Sequence, residues 1–182
     1  MIINVQNITG STKLWFGDHG VKLRDTILES FKKEKENNVL KIDLKGIEVT
    51  DTSYAREAFV NLVGMIGIEQ ERPQILFANV QDHVKENMHL SFKEHKKFAL
   101  ITAEDGTWKL IGKYSEQLVE TISVLIKLKK ARATQIKEKL KEDIEMSALN
   151  NRLASLHEMC VVQRSVGSQE TGGKEYLYTL NL

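Results

Sequence analysis

Apolar and polar positions along this chain follow two periods, and the switches between them mark out its elements. Ile2, Ile3 and Val5 predict a short first strand, followed by a polar stretch with Gly10, Gly17 and Gly20 that carries Trp15 and Phe16. From Val21 the spacing is helical, with Leu23, Ile27, Leu28 and Phe31 on one face and Lys and Glu opposite. Leu40, Ile42 and Leu44 then alternate with Lys41, Asp43 and Lys45, the period of a strand. Ala58, Phe59, Leu62, Val63 and Ile66 predict a helix from Ser53 or Tyr54 to about Ile68. Pro73, the only proline, precedes the nearly continuous apolar run Gln74–Val80, which suits a strand covered on both faces. A third helix is expected over residues 82–97, although Met88, Leu90 and Phe92 share no single period. Phe98–Thr102 reads as a strand, and Asp105-Gly106 turns it into a hairpin with Thr107–Ile111. This alternation predicts an α/β domain over residues 1–112 with a small mixed sheet.

After Gly112 the pattern changes. Leu118, Ile122, Leu125 and Ile126 give an amphipathic helix that ends in the basic run Lys127–Arg132. Thr134 is placed to cap a short second helix carrying Ile136 and Leu140. Ser147 is placed to cap a third, with Leu149, Leu153 and Leu156 as its apolar stripe. Cys160–Val166 and Lys174–Asn181 read as two strands joined by the glycine-containing turn over residues 167–173. Residues 115–182 are thus expected to form a second domain of three helices and a hairpin.

Composition narrows the function classes. In 182 residues, 41% are hydrophobic and 28% charged, the balance of an ordinary globular protein. No apolar run is long enough to span a bilayer, and Met1–Val5 reads as a strand rather than a leader, so a cytoplasmic protein without membrane contact is expected. The single cysteine, Cys160, excludes an internal disulfide and a cysteine metal cluster. With 26 basic and 25 acidic residues, a non-specific coat for nucleic acid is disfavoured. From Tyr114 onward ten Lys and Arg face nine Asp and Glu, so any nucleic-acid affinity must come from placement rather than bulk charge.

The order helix, short helix, helix, strand, glycine turn, strand resembles the winged helix-turn-helix of bacterial transcription regulators. The likeness is carried by Ala133-Thr-Gln-Ile-Lys137, by Met146-Ser-Ala-Leu-Asn-Asn-Arg-Leu153 and by Leu156–Arg164, with Cys160 where many members have glycine. The resemblance implies that the third helix reads double-stranded DNA through Ser147, Asn150, Asn151 and Arg152. Thr134, Gln135 and Lys137 would assist from the second helix, and Arg164 and Lys174 from the wing. Asn and Arg side chains can hold phosphates as readily as base edges. The same polar face would also serve as solvated surface on an interaction module, with Arg152 paired to Glu145 or capping a neighbouring carbonyl.

Val39–Phe59 carries a second likeness. A strand ending in Asp43-Leu44 leads to Asp51-Thr-Ser53 at a helix start, similar to the STAS fold of anti-sigma factor antagonists. Ser53-Tyr-Ala-Arg-Glu57 looks closer still to a STAS-like family of unknown function. In antagonists the matching serine is phosphorylated by a partner kinase, which would make Ser53 the modified position. The residues equally allow Asp51 or Ser53 to act simply as the helix cap.

Enzyme chemistry finds no support in the sequence. His83, His89 and His95 recur every six residues and do not share one helical face, and no phosphate-cradling loop or serine elbow occurs. No cofactor or metal is expected. The resulting expectation is an α/β (α+β) two-domain protein, a STAS-like mixed sheet with helices followed by a winged helix. It would be a non-enzymatic DNA-binding transcription regulator, dimeric through the helix after Gly112 or the Trp108 hairpin. Its STAS-like part would receive a signal or a protein. Two other readings stand beside this one. The first is a partner-switching adaptor that never binds DNA, for example docking on a histidine-kinase-like ATPase. The second is a small-ligand sensor with a pocket near Trp15, Phe16 and Tyr54.

Overall fold

A computed structural model describes residues 1–34, 38–66, 71–167 and 175–182. Strand β1 (Ile2–Asn4) runs into the short helix α1 (Val5–Thr9), whose cap is the Asn4 side chain accepting from the Asn7 amide at 2.9 Å. Strand β2 (Lys13–Leu14) leads to α2 (Gly17–Lys33), which starts one turn earlier than its apolar spacing predicts. That turn lies against the next helix, where a Cβ on Gly20 would stand 2.8 Å from the Tyr54 carbonyl oxygen. After β3 (Val39–Asp43) and β4 (Val49–Thr50) comes α3 (Thr52–Ala55), which continues through a π-helical stretch, Arg56–Val60, into α4 (Asn61–Met65). Lys97 Nζ donates to the Val60 carbonyl at 3.1 Å, supplying that oxygen with a donor where the helical ladder changes pitch.

Strand β5 (Gln74–Ala78), helix α5 (Asp82–Glu94) and the hairpin of β6 (Phe98–Thr102) and β7 (Trp108–Gly112) complete the first half. Five strands form one sheet in the order β1-β3-β5-β6-β7, parallel except for the last pair. Every residue of β5 is buried, as a strand covered on both faces requires. One face, with Ile3, Ile42, Phe77 and Ile101, packs under α2, α3 and α5. Tyr54, Phe59, Phe77 and Phe92 form a chain of rings there, with centroids 5.4–6.4 Å apart. Within α5, Val84, Met88 and Phe92 turn inward while Leu90 is 53% exposed, which explains the blurred period of that segment.

The second half contains α6 (Glu116–Leu128), β8 (Lys130–Arg132), α7 (Ala133–Lys137), α8 (Met146–Glu158), β9 (Gln163–Gly167) and β10 (Glu175–Thr179). Three strands pair antiparallel in the order β8-β10-β9. Strand β8 corrects the expectation of a basic helix tail: Lys129 adopts φ +60°, and the three residues after it join β10. Neither expected cap forms. Helix α7 is preceded by Arg132, whose amide donates to Gln135 Oε1 at 2.9 Å, and α8 is preceded by Glu145, leaving Ser147 inside the helix.

The other face of the five-stranded sheet belongs to the same apolar cluster as the second half. Leu76, Phe98, Leu100 and Leu110 join Leu118, Ile122 and Leu125 of α6 and Leu149, Leu153 and Leu156 of α8. The apolar stripe of α6 is therefore consumed within the chain, and Trp108 lies half-buried against the same cluster. Polar bonds cross here too. The Ile75 amide donates to the Cys160 carbonyl at 2.7 Å, and Arg72 Nη1 donates to the Glu158 carbonyl at 3.0 Å. Gln74, fully buried, pairs its amide group with the Asn181 backbone in both directions, at 2.7 and 3.0 Å.

Candidate functional site

The stripe Leu149, Leu153 and Leu156 faces the core and turns the opposite face of α8 outward. That outward face carries Ser147, Asn150 and Asn151, all exposed. Beside it stand the first turn of α7 and one face of the β9–β10 hairpin. Arg164 pairs across the hairpin with Tyr178, and its guanidinium stacks over the diagonal ring of Tyr176, 4.4 Å from the centroid. These elements enclose a groove of about 500 Å³ whose lining includes Thr134, Asn150, Asn151, Arg164 and Tyr176. Its carboxylate, Glu175, is held by Arg132 Nε at 3.1 Å.

Four of the predicted residues, Thr134, Asn150, Asn151 and Arg164, thus line one groove. The others are placed differently. Gln135 is exposed, with its side chain turned back on the Arg132 amide, and Lys137 is half-buried at the end of α7. Arg152 is 18% exposed and paired with Glu142, not with Glu145. Its partner lies ten residues upstream in the loop before α8, where helical spacing gives no guidance. Lys174 lies outside the described residues. Sequence reasoning missed Tyr176, although alternation in Glu175-Tyr-Leu-Tyr178 puts both tyrosines on the Arg164 face.

The join between α8 and the hairpin explains Cys160. The Cys160 amide donates to the His157 carbonyl and the Val161 amide to the Leu156 carbonyl, at 3.0 and 2.9 Å. This double bond pattern ends a helix with one residue in the left-handed region, and Cys160 takes it at φ +58°. A side chain is kept there because the thiol, completely buried, packs into the core beside α4, 3.9 Å from the Val63 carbonyl oxygen. Burial pushes its pKa up to about 11, so it stays protonated and unreactive.

At the start of α3, Asp51 rather than Ser53 is the cap. Its Oδ1 accepts from the Tyr54 amide at 2.6 Å and from the Ser53 hydroxyl at 2.7 Å, while Oδ2 accepts from the Phe16 amide at 2.8 Å. Burial acts to raise the Asp51 pKa, but these donors outweigh it and hold the carboxyl below its ordinary value. Such a group stabilises the fold above the ordinary carboxylate range, and the gain is lost as pH falls through the lowered folded-state value. Asp51→Asn is therefore expected to destabilise the chain by about 1–2 kcal/mol near neutrality, because one acceptor becomes a donor facing the Phe16 amide. Urea unfolding should show that gap closing below about pH 4, as the wild-type carboxyl takes up its own proton. A gap independent of pH would contradict this account.

Residues 19–85 match the model of a STAS-like domain of unknown function. No curated protein matches the chain. The matched segment runs from α2 to the first turn of α5 and so includes Asp51, Ser53 and the π-helical stretch. Among the described residues there is no group of three or more His, Cys, Asp or Glu able to hold a metal ion, and no helix long and apolar enough to cross a membrane.

Proposed function

We propose that this chain is a non-enzymatic cytoplasmic transcription regulator whose C-terminal half binds double-stranded DNA as a winged helix. Its STAS-like half would receive a protein or small-molecule signal. The observation that carries this reading is the outward face of α8. Ser147, Asn150 and Asn151 stand exposed there with no acidic residue between them, beside Thr134 of α7 and Arg164 of the hairpin. An exposed helix carrying short amides next to a two-stranded ribbon suits major-groove readout with the ribbon over the backbone. Dimerisation belongs to the same proposal, because one such module covers few base pairs, and light scattering of the full chain is its check.

Selection of genomic fragments with the purified chain, followed by mobility-shift titration, tests the proposal. Binding should weaken as salt rises. Asn150→Ala combined with Asn151→Ala should lower affinity for the selected site about tenfold or more, and Arg164→Ala should weaken all sequences alike. Arg152→Ala should matter little, because Glu142 already holds that guanidinium. Absence of any shift at low salt would refute DNA binding.

A second reading is favoured by the state of the arginines. Arg132, Arg152 and Arg164 are the only arginines in residues 115–182, and Glu175, Glu142 and the Tyr176 ring engage them. Arginines so engaged suit an adaptor that docks on polypeptides, for example a histidine-kinase-like ATPase, without touching DNA. Ser53 would be the modified position in such a switch, yet a phosphate there would adjoin the Asp51 carboxylate that the Ser53 hydroxyl now contacts. The helix-start role explains these bonds without modification. Intact mass before and after phosphatase treatment of cell-purified protein separates the two, with no change expected.

A further inference from the structure

A cavity of about 540 Å³ opens between α1, β2 and the first turns of α2, far along the chain from the α8 groove. Its size lies in the range of small-molecule sites. Leu14 and Leu23, 1% and 2% exposed, form walls, and Tyr54 lines it from α3. Ile8, Trp15 and Phe16 stand at the opening, 41%, 41% and 68% exposed, an unusual grouping of large apolar side chains in water. The lip is held in shape: Phe16 sits at φ +70°, and the Asp51 carboxylate that accepts its amide also accepts the Tyr54 amide. One side chain fixes lip and floor together.

The formally charged side chains lining this cavity, Lys13 and Lys22, have one sign. Lys13, His19 and Lys22 line it, and no Asp or Glu does. Neither lysine forms an ion pair among the described residues. The small hydroxyls are already used, Thr9 by the Val5 carbonyl, Ser11 by the Lys13 carbonyl and Thr26 by the Lys22 carbonyl, at 2.8–3.0 Å. Tyr54 differs. Its ring is buried, the residue being 2% exposed, yet its hydroxyl is bonded by no described residue and is not closed off from solvent. A hydroxyl left open in this way keeps its hydrogen available for an acceptor that enters the site.

We propose that this cavity binds a small amphipathic anion, an aromatic body carrying a carboxylate or sulfonate. The body rests among Leu14, Leu23 and Trp15, the acid is met by Lys13 and Lys22, and Tyr54 donates its hydroxyl hydrogen. No residue of the C-terminal half takes part, so the inference holds or fails independently of DNA binding.

The probe pair for the test is 8-anilinonaphthalene-1-sulfonate and N-phenyl-1-naphthylamine, which share an aromatic body and differ in the sulfonate. The full chain carrying Trp108→Phe leaves Trp15 as its sole tryptophan. Saturable single-site binding of the sulfonate, with energy transfer from Trp15, is the expected result. Lys13→Gln combined with Lys22→Gln should weaken the sulfonate about tenfold and leave the neutral amine unchanged. Tyr54→Phe should weaken the sulfonate about fivefold or more. Thermal unfolding compares each variant with the parent, and the lysine pair, being exposed, keeps the test decisive even where Tyr54→Phe fails to fold. Lack of sulfonate binding, lack of transfer from Trp15, or equal sulfonate affinity after the lysine change would each overturn the proposal.

Discussion

Gly112→Ala is expected to destabilise the chain by about 3 kcal/mol or more, lowering the urea midpoint without changing the chain's chemistry elsewhere. Two penalties coincide at this position. Gly112 holds φ +95°, a conformation disfavoured for any residue with a Cβ. A Cβ there would also stand 2.3 Å from the Lys97 carbonyl oxygen and 2.7 Å from the Phe92 Cβ. The first of these is backbone and cannot swing aside, and the Lys113 amide already donates to that same oxygen at 2.8 Å. The Gly112 amide is also committed, to His89 Nδ1 at 3.1 Å. Gly106 is the control. It has φ +79° in the β6–β7 turn but nothing within 4 Å of an added Cβ, so Gly106→Ala should lose only about 1 kcal/mol. Equal effects of the two substitutions would mean that the close approach beside Gly112 relaxes freely.

The second large effect concerns the shared sheet. Leu100→Ala should destabilise by about 3 kcal/mol, within the range for a fully buried leucine whose surroundings cannot collapse. The informative part is where the loss is felt. Leu100 lies on β6 but belongs to the cluster that packs α6 and α8. Hydrogen exchange should therefore accelerate together in the amides of β5 and of α8, as one cooperative transition. Unchanged protection in α8 would show that the two halves unfold independently and that their shared apolar cluster contributes little.

That shared cluster marks the limit of what the sequence disclosed. Alternation along residues 39–45 and the apolar run at Gln74–Val80 gave the strands, because both are local signals. Leu149, Leu153 and Leu156 oriented α8 for the same reason, and from that orientation the exposed Asn150 and Asn151 followed. What stayed hidden depends on partners distant in the chain. Arg152 is set by Glu142 in a preceding loop, and β8 is three residues whose basic character resembled a helix tail. Strand β8 exists because β10 supplies its ladder. Trp15, Phe16 and Tyr54 were readable as aromatic residues near one another, but the Asp51 bonds that hold two of them in place were not.

The tether at Cys160 has a mechanical consequence. Helix α8 has its C-terminal end bonded to the central strand of the larger sheet through Cys160 and Ile75, while its N-terminal end projects toward the groove. At a rise of 1.5 Å per residue, Asn150 and Asn151 sit on an arm roughly 14 Å from that fulcrum. A tilt of about 10° at the sheet would swing them by roughly 2 Å, comparable to the spacing that separates a formed hydrogen bond from a broken one. Displacement of β5 would therefore be passed to where those two amides point, through the Cys160 bond and through the cluster that Leu149 and Leu153 share with Leu76.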